Sequence, residues 1–557
     1  MIEADLLVET RQGILRGAIE EGTRVFHGVP YARPPVGELR FRAPRPMQAW
    51  QGIRDATVPG PASYQVNLDN VQRVLQIAEE MAPDLPGIMA WPGYVNETYH
   101  HGNISEDCLY LDIWLPEHAG DGPLPVYVYY HGGANAVSSG HFPLERGANL
   151  AREENIIVVR PTYRMGALGW VHFGLISDQL PEAVNVSVQD QIAALQWVYE
   201  NISAFGGDPQ NITIGGESCG ATAVSHLLVN PTAQPLIKRA IVHSLSPFNL
   251  WCTQPKQDAA RVAQEYLNLL NISDAAELMT ISPERLIAVH SVMARRFDPD
   301  INFAWRPVGA VDDGDILPGL PVSVLANSKY PRQDFELMIG FAKDEWQFFR
   351  GHSHTVSEGS RSEVLNVLQQ VFSDDAQQVL DEYQALYPDQ VKPGQLLSDI
   401  MSFEFFKGPS LEIASNFAQQ GFPVYVFQFS YDLPGYGGYL RAVHTGDMPF
   451  IFRNLSESDL KMWPAFDGAD RQELRQVTAE FGALYGQFIR NGNPGNQWPA
   501  FTEEKQTVLW FGKTIEAKER LLTSEQSIFA EHGFGHVDSL EQRLALNLDA
   551  AFDAEHR

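Results

Sequence analysis

Residues 216–220 read Gly-Glu-Ser-Cys-Gly, which is the G-x-S-x-G pattern of a nucleophile elbow. An apolar run, "NITI" (211–214), comes directly before the pattern, and "ATAVSHLLV" (221–229) is typical of a helix after it. A strand, a tight turn and a helix in this order lift a serine oxygen clear of a sheet. We therefore predict that Ser218 is a nucleophile; the alternative is a glycine-rich turn without a chemical role.

A nucleophilic serine needs a base, an orienting acid and donors for an oxyanion, and three other loops offer them. The segment "HGGAN" (131–135) is either a plain strand-exit turn or a loop whose glycines free backbone N–H groups for an oxyanion. Asp344 and Glu345 in "AKDEW" are candidate acids, and His444 in "AVHTGDMPF" is a candidate base. Serine, acid and histidine follow one another in the order of the α/β-hydrolases.

These loops follow short runs of β-branched and aromatic residues that are apolar on both faces, as in the buried strands of a parallel sheet. The runs lie at 124–133, 155–164, 211–218, 239–246, 335–346 and 423–432. Between them lie helical patterns, for example at 186–202. The alternation predicts an α/β fold: a large, mainly parallel central sheet with helices on both faces, and ligands beyond the carboxyl ends of its strands.

Composition argues against several classes of protein. The 557 residues include 40 basic and 69 acidic ones, a formal net charge of −29, which disfavours nucleic acid and anionic membrane as partners. No run approaches the length of a membrane span, and the first residues do not resemble a signal peptide. Three cysteines, Cys108, Cys219 and Cys252, suit a reducing compartment. We expect a cytoplasmic protein, with secretion open if a signal peptide has been removed.

At this point the chain resembles the type-B carboxylesterase family, which includes the cholinesterases, from its N-terminus to beyond residue 450. Three segments carry the resemblance: "VFHGVPYARPPVGELRFRAP" (25–44), "EDCLYLDIWLP" (106–116) and "DQIAALQWVYENISAFGGDPQNITIGGESCG" (190–220). The resemblance implies one α/β-hydrolase domain over residues 1–557, with a small N-terminal antiparallel sheet. It also implies a small-molecule ester substrate and neither a cofactor nor a metal.

The resemblance further implies residue roles, with Glu345 rather than Asp344 as the acid. The roles are catalysis for Ser218, Glu345 and His444; oxyanion donation by the backbone N–H groups of Gly133, Ala134 and Cys219; support of the triad by Ser244 and Glu217; and substrate contact for Asn135, Trp251, Trp91 and Tyr94. Glu106 and Asp190 match positions where relatives pair acids with arginines, here Arg42 and Arg164.

Three departures from the family pattern are informative. Cys219 replaces the usual alanine, where only the backbone N–H is needed, and a thiol at this position invites oxidation. Asn135 replaces a more usual aromatic residue, and the small residues of this loop resemble a wide type associated with bulky, even tertiary, alcohols. In relatives, a cysteine at the position of Ser63 forms a disulfide bond with the cysteine equivalent to Cys108. Ser63 replaces that cysteine here, so the resemblance implies that the disulfide bond is absent, as in a cytoplasmic bacterial-type enzyme.

Two amphipathic helices have open roles. The helix at 71–81 lies in a segment, around 65–105, that is longer than in the cholinesterases, and it is either a lid over the active-site mouth or a surface helix that covers core. The helix at 539–556 either pairs subunits or packs on its own domain, so both a monomer and a homodimer are expected states.

The predicted function is a serine hydrolase that cleaves carboxylic esters, of bulky or xenobiotic-like kinds, through an acyl-enzyme. One alternative keeps the triad but cleaves a carbamate or an amide. Another is a non-catalytic adhesion or scaffold protein, which the intact Ser218, Glu345 and His444 disfavour. A thiol nucleophile at Cys219 is disfavoured because the elbow presents its middle residue, not the neighbour.

Overall fold

A computed structural model describes residues 6–67, 69–83, 103–118, 120, 122–245, 253–297, 308–352, 354–390 and 392–533. The strands are β1 (Leu7–Glu9), β2 (Ile14–Arg16), β3 (Ala18–Glu20), β4 (Thr23–Pro30), β5 (Ile53–Asp55), β6 (Ala62–Ser63), β7 (Ile104–Ser105), β8 (Tyr110–Pro116), β9 (Leu124–Tyr130), β10 (Ile157–Pro161), β11 (Gly207–Glu217), β12 (Arg239–His243), β13 (Thr253–Gln254), β14 (Ala310–Val311), β15 (Glu336–Ala342), β16 (Val424–Phe429), β17 (Val508–Phe511) and β18 (Ile515–Lys518).

The helices are α1 (Val71–Met81), α2 (Ala148–Glu154), α3 (Ala167–Trp170), α4 (Val186–Asn201), α5 (Cys219–Val229), α6 (Lys256–Leu270), α7 (Pro283–Phe297), α8 (Pro321–Asn327), α9 (His354–Glu358), α10 (Arg361–Phe372), α11 (Ala376–Leu386), α12 (Pro393–Ser402), α13 (Gly408–Gln419), α14 (Met448–Phe452), α15 (Glu457–Met462), α16 (Arg471–Asn491) and α17 (Thr523–Glu531). A π-helical turn, Phe403–Lys407, joins α12 to α13. Among the described helices, none is long and apolar enough to cross a membrane.

An 11-stranded sheet forms the centre of the fold, in the order β3-β4-β8-β10-β9-β11-β12-β15-β16-β17-β18. The strands from β10 to β17 in this order pair in parallel, and those outside them pair antiparallel. The six apolar runs of the sequence correspond to β9, β10, β11, β12, β15 and β16, which are adjacent in the parallel part. The predicted α/β-hydrolase-type sheet is therefore confirmed.

Each parallel strand contributes to a core on both faces of the sheet, which explains its continuous apolar run. In β15, Leu337 and Ile339 belong to one buried cluster, whereas Met338 belongs to the cluster on the other face. Residues of α4, α5 and α13 complete the first cluster, and residues of α2, α14 and α16 complete the second. The central sheet is thus buried between two helical layers.

The small N-terminal sheet, β1-β2-β5, differs in one detail from the prediction. Strands β1 and β2 pair antiparallel, but β5 joins β2 in parallel. The third strand comes from residues 53–55, far enough along the chain to return in the same direction as β2. A two-residue hairpin turn, which forces antiparallel pairing, is absent from that connection.

Helix α1 packs against α7 around a small, separate cluster of buried apolar residues. Val74, Ile77 and Ala78 are buried there with Ala288 and Val292 of α7. The remainder of the predicted lid segment, 84–102, and the C-terminal helix at 539–556 lie outside the described residues. The lid and the subunit-pairing helix therefore stay predictions.

Candidate active site

Ser218 stands at the sharp turn between β11 and α5. Its backbone has φ 58° and ψ −126°, a conformation that costs a non-glycine residue about 1–3 kcal/mol. A Cβ on Gly216 would collide with the carbonyl oxygen of Gly220, and a Cβ on Gly220 would collide with that of Tyr130 in β9. Both glycines of the pattern are therefore required by packing, and the turn holds a half-buried Ser218 at the carboxyl end of β11.

His444 and Glu345 form a buried pair at the same end of the sheet. The Nδ1 atom of His444 lies 2.6 Å from Oε2 of Glu345, and the exposed fractions of the two residues are 2% and 0%. With the proton on Nδ1 donated to the carboxylate, Nε2 is left as the basic nitrogen. Nε2 lies 3.2 Å from Oε1 of Glu217, the residue directly before Ser218.

Hydrogen bonds and an ion pair connect the loop after β15 with the loop that carries His444. Glu345 accepts a hydrogen bond from the N–H of Ala342 at 2.6 Å, which orients its carboxylate. Asp344 pairs with Arg441 at 2.9 Å and accepts from the N–H of Ala442 at 3.3 Å. The two candidate acids thus have different partners: Asp344 binds the histidine loop, whereas Glu345 contacts the imidazole itself.

The loop after β9 faces the elbow with three consecutive residues at positive φ. Gly133, Ala134 and Asn135 have φ of 104°, 53° and 56°. A Cβ on Gly132 would lie 2.9 Å from the carbonyl oxygen of Glu217 and 3.2 Å from Cβ of Ser218, so a side chain here would crowd the elbow. Among the described residues, the N–H groups of Gly133 and Ala134 have no acceptor, so they are available to an oxyanion.

Cys219 is the first residue of α5, where backbone N–H groups have no partner one turn earlier in the helix. Its side chain is 4% exposed and part of the core. The arrangement suits a backbone donor beside Ser218, with the thiol buried in the core.

A cavity of about 410 Å³ opens beside these loops. Its walls include Gly132, Gly133, Glu145, Glu217, Phe348, Val443, Thr445, Met448 and Trp463, and the exposed Tyr436 and Tyr439 stand at its edge. The ring of Phe348 lies 5.4 Å from that of His444. The cavity is therefore mostly apolar, is bordered by the loop after β9 and by the two neighbours of His444, and carries two carboxylic acids.

The two acids of the cavity have different surroundings. Burial raises the pKa of Glu217 well above its usual range; the charge of His444 opposes this rise and nearby Asp447 adds to it. Burial lowers the pKa of His444, but the carboxylates of Glu217 and Glu345 outweigh burial and raise it to about 9. The charges of Glu217 and His444 therefore favour one another, and burial opposes the charged form of both.

Glu145, in contrast, forms an ion pair with Arg160, which is fully buried. Arg160 also donates to the carbonyl oxygen of Glu145 at 2.8 Å. This pair was not found from the sequence, although an arginine inside the apolar run at 155–164 was a signal that a buried acid had to be near.

Of the two predicted ion pairs, one is confirmed and the other is wrong in its arginine. Arg164 and Asp190 form a buried pair, with Nε 2.7 Å from Oδ2. Glu106 pairs with Arg40, not with Arg42, at 2.8 Å through both guanidinium nitrogens Nε and Nη2. The side chain of Arg42 instead donates to the carbonyl of Gln179. Arg40 and Arg42 are two residues apart, and spacing alone did not distinguish them.

Cys108 and Cys219 are both buried, and within the part of the chain that the structure describes neither is in a disulfide bond. The Ser63 hydroxyl is hydrogen-bonded to the Cys108 thiol, whose pKa is raised mainly by burial. Ser63 therefore occupies the place predicted for a missing disulfide partner. Among the described residues, no group of three or more His, Cys, Asp or Glu side chains could hold a metal ion.

The remaining predicted residues fall in three groups. Ser244 is buried behind the elbow at φ 53°, and among the described residues its hydroxyl has no partner. Asn135 is 1% exposed, with its amide nitrogen 3.5 Å from the carbonyl of Val308, so its contact with substrate stays a prediction. Trp91, Tyr94 and Trp251 lie outside the described residues.

Comparisons with known proteins agree on one family. The profile of the carboxylesterase family matches residues 4–529. A phenmedipham hydrolase of Pseudarthrobacter oxydans is 33% identical over 91% of this chain and 95% of its own, and a para-nitrobenzyl esterase of Bacillus subtilis is 30% identical over 90% and 94%. The crystal structure of a Geobacillus stearothermophilus carboxylesterase superposes with a TM-score of 0.77 at 30% identity, covering 94% of this chain and 99% of that one.

Proposed function

The chain belongs to the carboxylesterase family and is a carboxylic-ester hydrolase, and from this premise we propose that Ser218, Glu345 and His444 are its catalytic triad. The observation that carries the proposal is the 2.6 Å contact between His444 Nδ1 and Glu345, made next to the elbow that presents Ser218. The contact fixes the imidazole tautomer, so Nε2 is the nitrogen that can take the serine proton.

The reaction then proceeds through an acyl-enzyme. His444 Nε2 accepts the proton of Ser218 as the serine oxygen attacks the ester carbonyl, and the Glu345 carboxylate stabilises the imidazolium. The N–H groups of Gly133, Ala134 and Cys219 hold the oxyanion; loss of one donor of this kind costs about 3–4 kcal/mol of barrier stabilisation. His444 returns its proton to the leaving alcohol, and water cleaves the acyl-enzyme by the same steps in reverse order.

The cavity of about 410 Å³ supports a bulky leaving group. The proton goes from His444 to the leaving oxygen, so the leaving group has to lie on the histidine side, where Phe348, Val443 and Thr445 line the cavity. Its apolar walls suit xenobiotic-like alcohols and phenols. Relatives are named for phenmedipham and for fumonisin B1, which makes these two compounds suitable probes for this enzyme.

The test is hydrolysis of p-nitrophenyl esters of increasing acyl length, one tertiary-alcohol ester and phenmedipham by the parent and Ser218→Ala. Activity should disappear in the variant, and a fluorophosphonate probe should label only the parent. Cys219→Ala is the matched control: it keeps the backbone donor and removes the thiol, so it should keep most activity. Full activity of Ser218→Ala, or near-total loss in Cys219→Ala, would contradict the proposal.

Carbamate cleavage is the second candidate, because the same triad and oxyanion donors can attack a carbamate carbonyl. Matched ester, carbamate and amide substrates with the same aromatic ring in the leaving group, released as the phenol from the first two and as the corresponding aniline from the amide, would rank the three bonds. Faster turnover of the carbamate than of the ester would reverse our assignment of the preferred bond while leaving the triad in place.

We also propose that the enzyme acts in the cytoplasm, as a monomer or homodimer, and without a nucleic-acid partner. The net charge of −29 supports the last point, since phosphate backbones are repelled. Sedimentation at several protein concentrations would distinguish the two oligomeric states.

A further inference from the structure

A second histidine–carboxylate pair lies directly behind the elbow. His243, the last residue of β12, is fully buried, and its carbonyl oxygen accepts the N–H of Ser218 at 3.1 Å. The Nδ1 atom of its side chain lies 3.1 Å from Oδ2 of Asp447. Asp447 follows His444 by three residues in the same loop. One residue therefore touches both the nucleophile's backbone and the loop of the base.

The pair continues into a chain of buried hydrogen bonds. Nε2 of His243 lies 3.0 Å from the hydroxyl of Tyr485 in α16, which lies 2.6 Å from the hydroxyl of Tyr127 in β9. With the His243 proton on Nδ1, each donor has one acceptor: Tyr127 donates to Tyr485, Tyr485 to His243, and His243 to Asp447. The chain connects the strand before the oxyanion loop with the loop that carries His444.

The histidine loop needs such an anchor. Thr445 has φ 68°, a left-handed conformation that is unfavourable for a β-branched residue. Beyond it, the carbonyl of Asp447 accepts the N–H groups of Phe450 and Ile451 at 3.1 Å each, which starts α14. The backbone of Asp447 is thus held by α14 and its side chain by His243, so the strained loop is fixed at its far end.

We propose that His243 is a positioning residue: its Nδ1–H bond to Asp447 holds the loop of His444 against the elbow of Ser218. The inference rests on the proposed triad. A shift of about 1 Å between base and nucleophile costs on the order of 100-fold in rate, so the bond affects turnover without touching substrate.

Two substitutions distinguish the roles of the two ring nitrogens of His243. Asn places an amide nitrogen near the position of Nδ1 and keeps a donor for Asp447, whereas Gln reaches the position of Nε2 and leaves Asp447 without that donor. We expect His243→Gln to lower kcat by about 10- to 100-fold with KM nearly unchanged. His243→Asn should stay within about threefold of the parent kcat.

His172→Gln is the matched control, since His172 is also buried and has two hydrogen bonds, to Gly309 and Asn185, away from the triad. It should lower thermal stability but leave kcat unchanged. Equal losses in His243→Gln and His243→Asn, or parent kcat in both, would overturn the positioning role.

Asp447→Ala provides an independent test if His243→Gln fails to fold. It should lower the plateau value of kcat as His243→Gln does. The double variant should lose no more than Asp447→Ala alone, because both substitutions remove the same bond and Asp447→Ala also removes a charge near His444. Additive losses, or a normal kcat in Asp447→Ala, would refute the inference. The triad is tested separately, since Ser218→Ala abolishes activity whatever the His243 variants do.

Discussion

Glu217→Gln should move the pH dependence of the enzyme, because the Glu217 carboxyl group lies next to Nε2 of His444. The two groups are 3.2 Å apart and both are buried. Glutamine has nearly the same size as glutamate, so the substitution removes a charge and leaves the wall of the cavity in place.

The size of the shift follows from this distance. Two unit charges 3.2 Å apart interact by about 1 kcal/mol in a water-like dielectric and about 5 kcal/mol at an effective dielectric of 20. At 1.36 kcal/mol per pKa unit these limits correspond to about 1 and 4 units. Burial also raises the pKa of Glu217, which opposes its ionisation, so the lower limit is the expected shift.

The sign follows from the role of the base. The Glu217 and Glu345 carboxylates overcome burial and raise the pKa of His444 to about 9, so the imidazole becomes neutral only as the pH rises. Removing one of these anions lowers the pKa of His444. A histidine base acts when neutral, so the proposed role of His444 predicts that the acid limb of kcat/KM moves to lower pH by about one unit.

The assay is the pH profile of kcat/KM on an uncharged p-nitrophenyl ester, from about pH 5 to about pH 10, for the parent and Glu217→Gln. Glu480→Gln is the charge-matched control, since Glu480 is exposed on α16 and changes the net charge equally. An acid limb that coincides with that of the parent to within about 0.3 units would refute the reasoning. Glu217 would then carry its proton throughout and contribute no charge to His444.

Two further substitutions test the packing of the site. Gly220→Ala should abolish activity and soluble folding, because its Cβ would collide with the carbonyl of Tyr130; near-parent melting temperature and kcat would contradict this. Asp190→Ala should lower the unfolding free energy by about 3–5 kcal/mol, since it leaves Arg164 buried without its partner. Denaturant titration measures the change, and a loss below about 1 kcal/mol would show that Arg164 finds other acceptors.

The sequence was sufficient for the parallel part of the sheet, because strands buried on both faces are apolar at most positions. It was less informative at the edges: β1, β2 and β5 are three residues each, and the parallel pairing of β5 depends on where the chain returns. β11 also begins at Gly207, before the apolar run at 211, since a register irregularity separates Gly207 from Ile212 in its pairing with β9.

In the candidate site, the features that depend on a short stretch of sequence were predictable, whereas the contacts between residues far apart in the chain were not. The elbow of Ser218 was predictable because its glycines are required by contacts within five residues or with the adjacent strand. The bond between His243 and Asp447 joins residues 204 positions apart. Neither residue type nor spacing selects that pair among the histidines and acids of the chain. The choice of Arg40 over Arg42 as partner of Glu106 likewise depends on which side chain the loop turns inward.

Because the Ser63 hydroxyl is hydrogen-bonded to the Cys108 thiol, replacing its oxygen atom by sulfur would allow a disulfide bond at this position. Exchanging the hydroxyl oxygen for sulfur, in Ser63→Cys, would place two thiols in contact around a loop that contains α1. Closing a loop of roughly 45 residues removes unfolded-state entropy equivalent to about 4 kcal/mol. The thermal stability of that variant would then depend on the redox potential of its surroundings, rising under oxidants and returning to the parent value under thiols. The melting temperature of this variant would therefore report the redox state of its compartment, whereas residues 63 and 108 of the parent form no disulfide bond.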